Sequence, residues 1–267
     1  MKNIFLLFAF IITLNIYSQK PVFKGQEPIE QVSTVSKPVQ IQWKGIFPFE
    51  NDSVYFSNDF EGARLNGIIK DYDSTYTALI TSENTPINVS PWYAFKVWSK
   101  HKKQIYLTLT YGEGYKHRYY PKLSNDGLHW TSMDSTDYVE FEKGDKNFGP
   151  GSLPLKVQMK LSINPDTLWV SAQELQTSKH VKKWVEALSE KPFVSNQQIG
   201  LSREGRPLTA LTIGKEKTAR MLIVISRQHP PEVTGYLAMK AFVETISSNL
   251  KLAKKFRKKF TVYVVPL

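Results

Sequence analysis

The chain has 267 residues and a formal net charge of +11, and 41% of its residues are hydrophobic. This composition is ordinary for a folded protein and excludes wholesale disorder, and the length is sufficient for two domain cores. The chain contains no cysteine. Disulfides and thiolate metal sites are therefore excluded, and histidine and carboxylate side chains are the candidate metal ligands.

Residues 1–18 have the parts of a secretory signal peptide. Lys2 supplies a positive start, residues 4–14 form an apolar segment, and Ser18 is a small residue at a suitable cleavage position. The apolar segment is shorter than the roughly 20 residues that a membrane-spanning helix needs. We therefore expect a secreted or periplasmic protein with no membrane span after the signal peptide is removed.

Residues 19–170 are predicted to form an antiparallel β-sandwich domain. Apolar and polar residues alternate, as in strands, over residues 39–43, 92–98 and 104–110. Turn residues such as Asn125-Asp126-Gly127 separate the predicted strands. Many short, aromatic-rich strands at this spacing are typical of an antiparallel sandwich.

The pattern changes in residues 171–267, where predicted helices alternate with predicted strands. Helices are expected at 173–188 and Val233–Ile246, and strands at 206–213, 221–226 and 260–265. The continuous apolar run at 221–226 is typical of a buried strand. Alternating strands and helices predict an α/β sheet with crossovers. The fold prediction is thus an α+β protein of two domains.

The net charge raises the possibility of a nucleic-acid partner, and one segment is especially basic. Its cationic residues are Lys251, Lys254, Lys255, Arg257, Lys258 and Lys259. Ala253, Phe256 and Phe260 recur there at helical spacing, so the cationic residues are interpreted as the solvated face of an amphipathic helix. No recognised nucleic-acid motif accompanies them, and we expect no nucleic-acid partner.

A candidate chemical site follows the apolar run. His229 and Glu232 stand in the segment Arg227-Gln228-His229-Pro230-Pro231-Glu232, at the turn from the strand to the next helix. The prolines stiffen the link between the imidazole and the carboxylate. A plainer interpretation is also open: Glu232 as a first-turn acid that meets the helix dipole, and His229 as a hydrogen-bonded loop residue.

The context of this pair resembles a known family. Residues 199–208 read Ile-Gly-Leu-Ser-Arg-Glu-Gly-Arg-Pro-Leu, and a hydrophobic strand and then His229-Pro230-Pro231-Glu232 follow. This order resembles the start of a zinc carboxypeptidase catalytic domain of the carboxypeptidase A superfamily. The proline after His229 is similar to the cytosolic-carboxypeptidase branch, although Pro231 stands where that branch often has glycine. Residues 56–63 and 120–130 resemble that branch's N-terminal β-sandwich.

The resemblance implies a zinc metallocarboxypeptidase, a hydrolase that removes C-terminal residues from peptides or peptide-like substrates with a zinc-activated water. His229 and Glu232 would be zinc ligands, and residues 171–267 would be the N-terminal portion of the catalytic domain. In this family a second histidine completes the ligand set, a separate glutamate is the general base, and arginines bind the substrate carboxylate. None of these partners can be matched here, so no residue is given a catalytic role.

The family's next motif, Asn-Pro-Asp-Gly, normally follows a strand that ends as Val264-Val265-Pro266-Leu267 does here. We therefore expect the third ligand and the base to lie beyond Leu267, and the chain alone to be inactive. If the chain ended at Leu267, the strand at 261–265 would be expected on an exposed sheet edge. Two alternatives stay open: a zinc amide hydrolase of small acylated amino acids, and a secreted β-sandwich binding module with an inactive carboxypeptidase-like tail. The oligomeric state is not predicted.

Overall fold

The computed structural model describes residues 41–82, 91–112, 115–143, 153–202, 205–214, 220–229 and 231–267. The chain divides into the units Met1–Pro38 and Val39–Leu267, and all described residues belong to the second unit. The predicted signal peptide at 1–18 lies outside the described residues. Among the described helices, none combines the length and the apolar character that crossing a membrane requires.

Two sheets form the N-terminal part of the described chain. The first contains, in spatial order, β1 (Ile46–Phe49), β2 (Val54–Ser57), β5 (Ala94–Ser99), β11 (Leu168–Ser171), β7 (Lys122–Ser124) and β8 (Thr131–Ser132). The second contains β3 (Gly67–Tyr72), β4 (Thr75–Ile80), β6 (Lys103–Tyr111), β10 (Pro154–Ile163) and β9 (Tyr138–Lys143). Short 3₁₀ helices span Glu50–Asp52 and Ser135–Asp137. These sheets confirm the predicted sandwich-like N-terminal part.

Most neighbouring strands in these sheets are antiparallel, but β4 and β6 pair in parallel. The chain passes through β5, which belongs to the other sheet, between β4 and β6. A connection of this length allows the parallel pairing that a tight hairpin forbids. The predicted antiparallel sandwich therefore contains one parallel pair among its described strands.

Alternation along the strands supplies the core of this N-terminal part. In β10, Val157, Met159, Leu161 and Ile163 are almost fully buried, and the intervening residues are more exposed. They pack with side chains of both sheets, including Phe56, Tyr76, Phe95, Val97, Ile105, Leu107 and Leu109. Burial of one such large side chain contributes about 1.5–3 kcal/mol.

The strand predicted at 39–43 is wrong for its described part, because residues 41–44 form no strand and β1 begins at Ile46. Side-chain hydrogen bonds hold this segment instead. The Gln42 amide donates to the Ala63 carbonyl at 2.6 Å, and the buried Asn58 amide donates to the Trp43 carbonyl at 2.6 Å. These bonds satisfy polar groups that a strand ladder would otherwise pair.

A third sheet and three helices form the described C-terminal part. The sheet order is β12 (Val194–Leu201), β13 (Pro207–Ile213), β15 (Thr261–Val265) and β14 (Met221–Ile225), and the helices are α1 (Ser178–Ser189), α2 (Val233–Ile246) and α3 (Lys251–Lys259). β14 and β15 are parallel, and the connection between them contains α2 and α3. The predicted α/β crossover is confirmed. The exact boundary between the two predicted domains stays a prediction.

Two predictions about burial in this sheet are wrong. β15 is expected on the exposed edge, but it lies between β13 and β14, whereas β14 is the edge strand. β14 is expected to be buried, but Met221, Ile223 and Ile225 are 67%, 60% and 59% exposed. An apolar run predicts a strand, but the neighbouring elements decide whether the strand is covered. Among described strands, β14 pairs with β15 alone.

Gly205 lies in the hairpin between β12 and β13, and its φ of +74° is in the left-handed region that favours glycine.

The prediction that Arg257 lies on the solvated face of α3 is wrong, because Arg257 is only 7% exposed. Its guanidinium donates to the carbonyls of Ile246 and Ser248 and lies 3.9 Å above the Phe193 ring. The α3 lysines are exposed as predicted.

Candidate metal centre

The candidate site lies where the chain leaves β14 and enters α2. The Ser226 amide still donates to the Val265 carbonyl at 3.0 Å, so the strand pairing extends to the start of the loop. Arg227 follows with a φ of +47°, a left-handed conformation that is uncommon for residues other than glycine. The loop therefore turns sharply directly before the candidate ligands. Pro230, predicted to stiffen the loop, lies outside the described residues.

The loop brings His229 and Glu232 into direct contact. The His229 Nδ1 lies 2.8 Å from the Glu232 Oε1, and the His229 backbone amide donates to Oε2 at 3.1 Å. The Glu232 amide in turn donates to the His229 carbonyl at 3.1 Å. The two side chains remain 67% and 48% exposed, so solvent can reach them.

Glu232 is the N-cap residue of α2, but its carboxylate makes no capping hydrogen bond to the helix. The carboxylate is instead directed toward His229. Hydrogen bonds from the His229 ring and backbone amide lower the pKa of Glu232 below its ordinary value. The carboxylate is therefore held in its charged form, which is the form that binds a metal ion.

The chemistry of this pair fits zinc, which binds imidazole nitrogen and carboxylate oxygen. Catalytic zinc sites use three protein ligands and leave one position open. Within the described part of the chain, no group of three or more His, Cys, Asp or Glu residues could hold a metal ion. His229 and Glu232 thus fit two of the three ligands, and their role as ligands stays a prediction.

Two residues that were given no role from the sequence fasten this loop: Gln173, which lies outside the loop, and Arg227, which belongs to it. The Gln173 side-chain amide donates to the Pro231 carbonyl at 2.9 Å, and its carbonyl oxygen lies 3.3 Å from the Thr234 hydroxyl that donates to it. The Arg227 guanidinium donates to the Gln176 carbonyl and lies 5.9 Å from the Tyr236 ring centroid. Proximity to the motif could have indicated Arg227, but Gln173 is far from it in sequence.

Three other histidines have side-chain partners elsewhere in the structure. His129 Nδ1 lies 2.6 Å from Asp126 Oδ2 in the turn between β7 and β8. His117 is buried in the sandwich, and His180 takes part in the capping box of α1.

An open cleft of about 420 Å³ lies elsewhere, with Glu61, Ser178 and Arg206 in its lining. The cleft is separate from the His229–Glu232 pair, which does not line it.

Comparison with known families connects this loop to a class of enzyme. The family model that matches the chain is described as zinc carboxypeptidase and covers residues 181–267. Residues 181–267 match the zinc carboxypeptidases. The matched segment includes the whole loop from β14 to α2, and the predicted resemblance is confirmed. No curated protein matches the chain.

Solved structures show that the fold is also that of metallo-carboxypeptidases. A metallo-carboxypeptidase from Burkholderia cenocepacia is 15% identical, with a TM-score of 0.64, and the match covers 80% of this chain and 55% of that one. A putative carboxypeptidase A from Shewanella denitrificans is 17% identical, with a TM-score of 0.65 and coverages of 79% and 54%.

A third solved structure is a metallo-carboxypeptidase from Pseudomonas aeruginosa in complex with (2-guanidinoethylmercapto)succinic acid. It is 18% identical to this chain, with a TM-score of 0.61, and the match covers 79% of this chain and 54% of that one. The chain therefore spans about half the length of these three neighbours. These matches extend well beyond the zinc carboxypeptidase segment into the N-terminal sheets, since they cover about four fifths of the chain.

Proposed function

We propose that the protein is a zinc metallocarboxypeptidase that hydrolyses the C-terminal residue of peptides or peptide-like substrates. The observation that carries this proposal is the contact between His229 Nδ1 and Glu232 Oε1 at 2.8 Å. It occurs at a strand-to-helix turn inside the segment that matches the zinc carboxypeptidase family. A hydrogen-bonded His–Glu pair alone would be weak support, and its position within this segment gives it chemical meaning.

In this proposal His229 and Glu232 hold the zinc ion. The backbone amide of His229 occupies Oε2 of Glu232, which leaves Oε1 beside the imidazole Nδ1. When bound, zinc lowers the pKa of a water molecule and polarises the scissile carbonyl. The third ligand, the general base and the arginines for the substrate carboxylate are assigned to residues outside the described ones. We also propose that the protein is secreted or periplasmic.

The test is zinc content and peptidase activity of the full-length protein, meaning the whole chain that its gene encodes, and of its His229→Ala variant. We expect one zinc per wild-type molecule and release of the C-terminal amino acid from peptides with a free carboxylate. Loss of a ligand should remove the zinc and lower kcat/KM by more than about 100-fold, the upper end of the effect of losing an outer-shell partner. Elemental analysis and mass spectrometry of the products measure both.

The sandwich offers a matched control for this variant. His129 and Asp126 form an exposed pair three residues apart with a 2.6 Å contact, similar in chemistry to the His229–Glu232 pair. We expect His129→Ala to retain zinc and activity. Unchanged zinc in the His229→Ala variant would contradict the proposed site.

The same assay separates the open alternatives. A zinc amide hydrolase would release amino acids from small acylated substrates and would not act on longer peptides. A secreted binding module with an inactive carboxypeptidase-like tail would contain no zinc and would act on neither substrate. The succinic acid derivative in the Pseudomonas aeruginosa neighbour supports a substrate that carries a carboxylate.

A further inference from the structure

The short segment 172–177 connects β11 to α1, and several of its residues are fixed to the sandwich. The Ala172 amide donates to the Tyr93 carbonyl at 2.9 Å. Glu174 forms an ion pair with Lys122 at 2.9 Å. Leu175 is buried and packs closely over Gly62. The segment is therefore tied to the sandwich at three of its residues.

Other residues of the same segment contact residues 226–232, the loop between β14 and α2 that carries His229 and Glu232. We call this loop the metal loop. Gln173 uses both ends of its amide: it donates to the Pro231 carbonyl at 2.9 Å and accepts from the Thr234 hydroxyl at 3.3 Å. These two partners lie on either side of Glu232 in the sequence. A side chain bonded on both sides of a residue limits how far that residue's backbone can move.

The second contact lies at the other end of the loop. The Arg227 guanidinium donates to the Gln176 carbonyl, and its Cζ lies 5.9 Å from the ring centroid of the buried Tyr236. The residue has the left-handed φ of +47°. Such a conformation costs free energy and persists where surrounding contacts determine it. The bond to Gln176 is one such contact, and it lies two residues before His229.

We propose that Gln173 and Arg227 are positioning residues that hold His229 and Glu232 in place for zinc by fastening the metal loop to segment 172–177. The sandwich thereby has a role in the reaction, because it anchors the segment from which both contacts are made. This inference rests on the proposed function, which it deepens. Neither residue is a ligand, and neither is assigned a contact with substrate.

The first test uses the metal-free full-length protein and amide hydrogen exchange. The reporters are the amides of Gln228, His229 and Glu232. In Gln173→Ala we expect their exchange to rise about tenfold or more, because one direct bond to the loop is lost, while exchange in β6 stays unchanged. Gln158→Ala is the matched control, since the Gln158 amide bonds Thr108 at 3.3 Å within the sandwich. It should leave the loop reporters at the wild-type rate.

The second test is zinc affinity, measured by competition with a chromophoric chelator. We expect Gln173→Ala to weaken zinc binding about tenfold, the lower end of the effect of outer-shell partners. Gln173→Glu keeps an acceptor for Thr234 but has no N–H for the Pro231 carbonyl, so it should resemble Gln173→Ala. An affinity equal to that of Gln158→Ala would overturn the role of Gln173.

Arg227 is tested by Arg227→Ala and Arg227→Gly. Glycine accepts the left-handed conformation without strain, so it separates the effect of φ from the loss of the guanidinium. We expect both variants to speed loop exchange and weaken zinc binding. The control is Arg118→Ala, since Arg118 lies 5.4 Å from the Tyr119 ring in the sandwich. Wild-type exchange and zinc affinity in Arg227→Gly would overturn the role of the guanidinium.

Failure of the inference differs from failure of the proposed function. If wild-type protein binds zinc and His229→Ala does not, but Gln173→Ala and Arg227→Gly bind as tightly as wild type, the inference is wrong and the function stands. If wild-type protein binds no zinc, the proposed function is wrong. In that case, faster amide exchange of the metal loop in the Gln173 and Arg227 variants would still support the attachment of this loop to segment 172–177. Unchanged exchange would overturn the attachment.

Discussion

Strands β6 and β14 show how differently the two parts of the molecule use apolar residues. β6 alternates, and Ile105, Leu107 and Leu109 on its inner face are fully buried between the two N-terminal sheets. β14 is apolar at every position, yet Met221, Ile223 and Ile225 are more than half exposed. The more hydrophobic strand is thus the less buried one.

The difference arises from what covers each sheet. The N-terminal sheets cover each other, so one face of each strand is buried. In the third sheet, the helices pack on the face that carries Leu211, Ile213, Val262 and Val264. The opposite face of the edge strand is left open by the described residues. Exposed apolar strands of this kind are typical sites of contact with further polypeptide.

The same substitution, isoleucine to alanine, should change the free energy of unfolding very differently in β6 and in β14. Ile105→Ala removes a fully buried side chain and should destabilise the protein by about 2–5 kcal/mol, since a cavity remains in the core. Ile223→Ala removes a side chain that is 60% exposed, and we expect a change within about 0.5 kcal/mol. Urea unfolding of both variants measures the free energies.

Equal losses of unfolding free energy in the two variants would contradict this difference in burial between β6 and β14. An Ile223→Ala cost near that of Ile105→Ala would mean that further polypeptide covers β14 in solution. Amide exchange in β6 and β14 separates the two cases, because the covered strand should exchange slowly.

A somewhat smaller loss of stability is expected from a substitution on the covered side of the third sheet, where Arg257 is buried. Arg257→Met keeps much of the apolar volume of the side chain but leaves the carbonyls of Ile246 and Ser248 without their charged donor. We expect a loss of about 2–3 kcal/mol, as for hydrogen bonds from charged groups. Lys258→Met on the exposed face of the same helix is the control and should change stability by less than about 0.5 kcal/mol.

The position of Arg257 illustrates what the sequence could predict. The spacing of Ala253, Phe256 and Phe260 predicted helix α3, but a cation in a lysine-rich segment is normally interpreted as solvated. The contact that buries Arg257 involves Phe193 and the end of α2, which are far apart in sequence. Periodicity predicts which elements form, whereas the pairing between them depends on tertiary packing.

The candidate site, too, could be predicted from the sequence only in part. His229 and Glu232 are three residues apart, so one short motif was enough to predict that they meet. Gln173 is 58 residues from Pro231, its partner in the structure. The sequence placed Gln173 in the helix predicted at 173–188, whereas α1 begins at Ser178 and Gln173 lies in the segment before it. The candidate ligand pair was therefore predictable from local sequence, but the residues that we propose to hold it in place were not. β14 shows the same limit, because its burial depends on distant elements.

The smallest of the three effects concerns the polar content of the sandwich core. His117 is 2% exposed, and its Nδ1 lies 2.6 Å from the Tyr111 hydroxyl. The rings of Tyr93 and Tyr138 also lie against it, and burial raises the pKa of all three tyrosines, so they are neutral around it. Burial lowers the pKa of His117 from 6.5 to about 4.

This shift makes the sandwich sensitive to acid. Between pH 6.5 and pH 4 the unfolded chain binds a proton at His117 that the folded chain does not bind, so stability falls as the pH falls. The loss should reach about 2 kcal/mol at pH 5 relative to neutral pH. In His117→Gln this component should vanish, and the difference in unfolding free energy between pH 7 and pH 5 should shrink accordingly. His101→Gln, at an exposed position, should keep the wild-type pH dependence. An equal pH dependence in the wild-type and His117→Gln proteins would mean that water reaches this imidazole, and the sandwich core would then be less closed than its buried strands indicate.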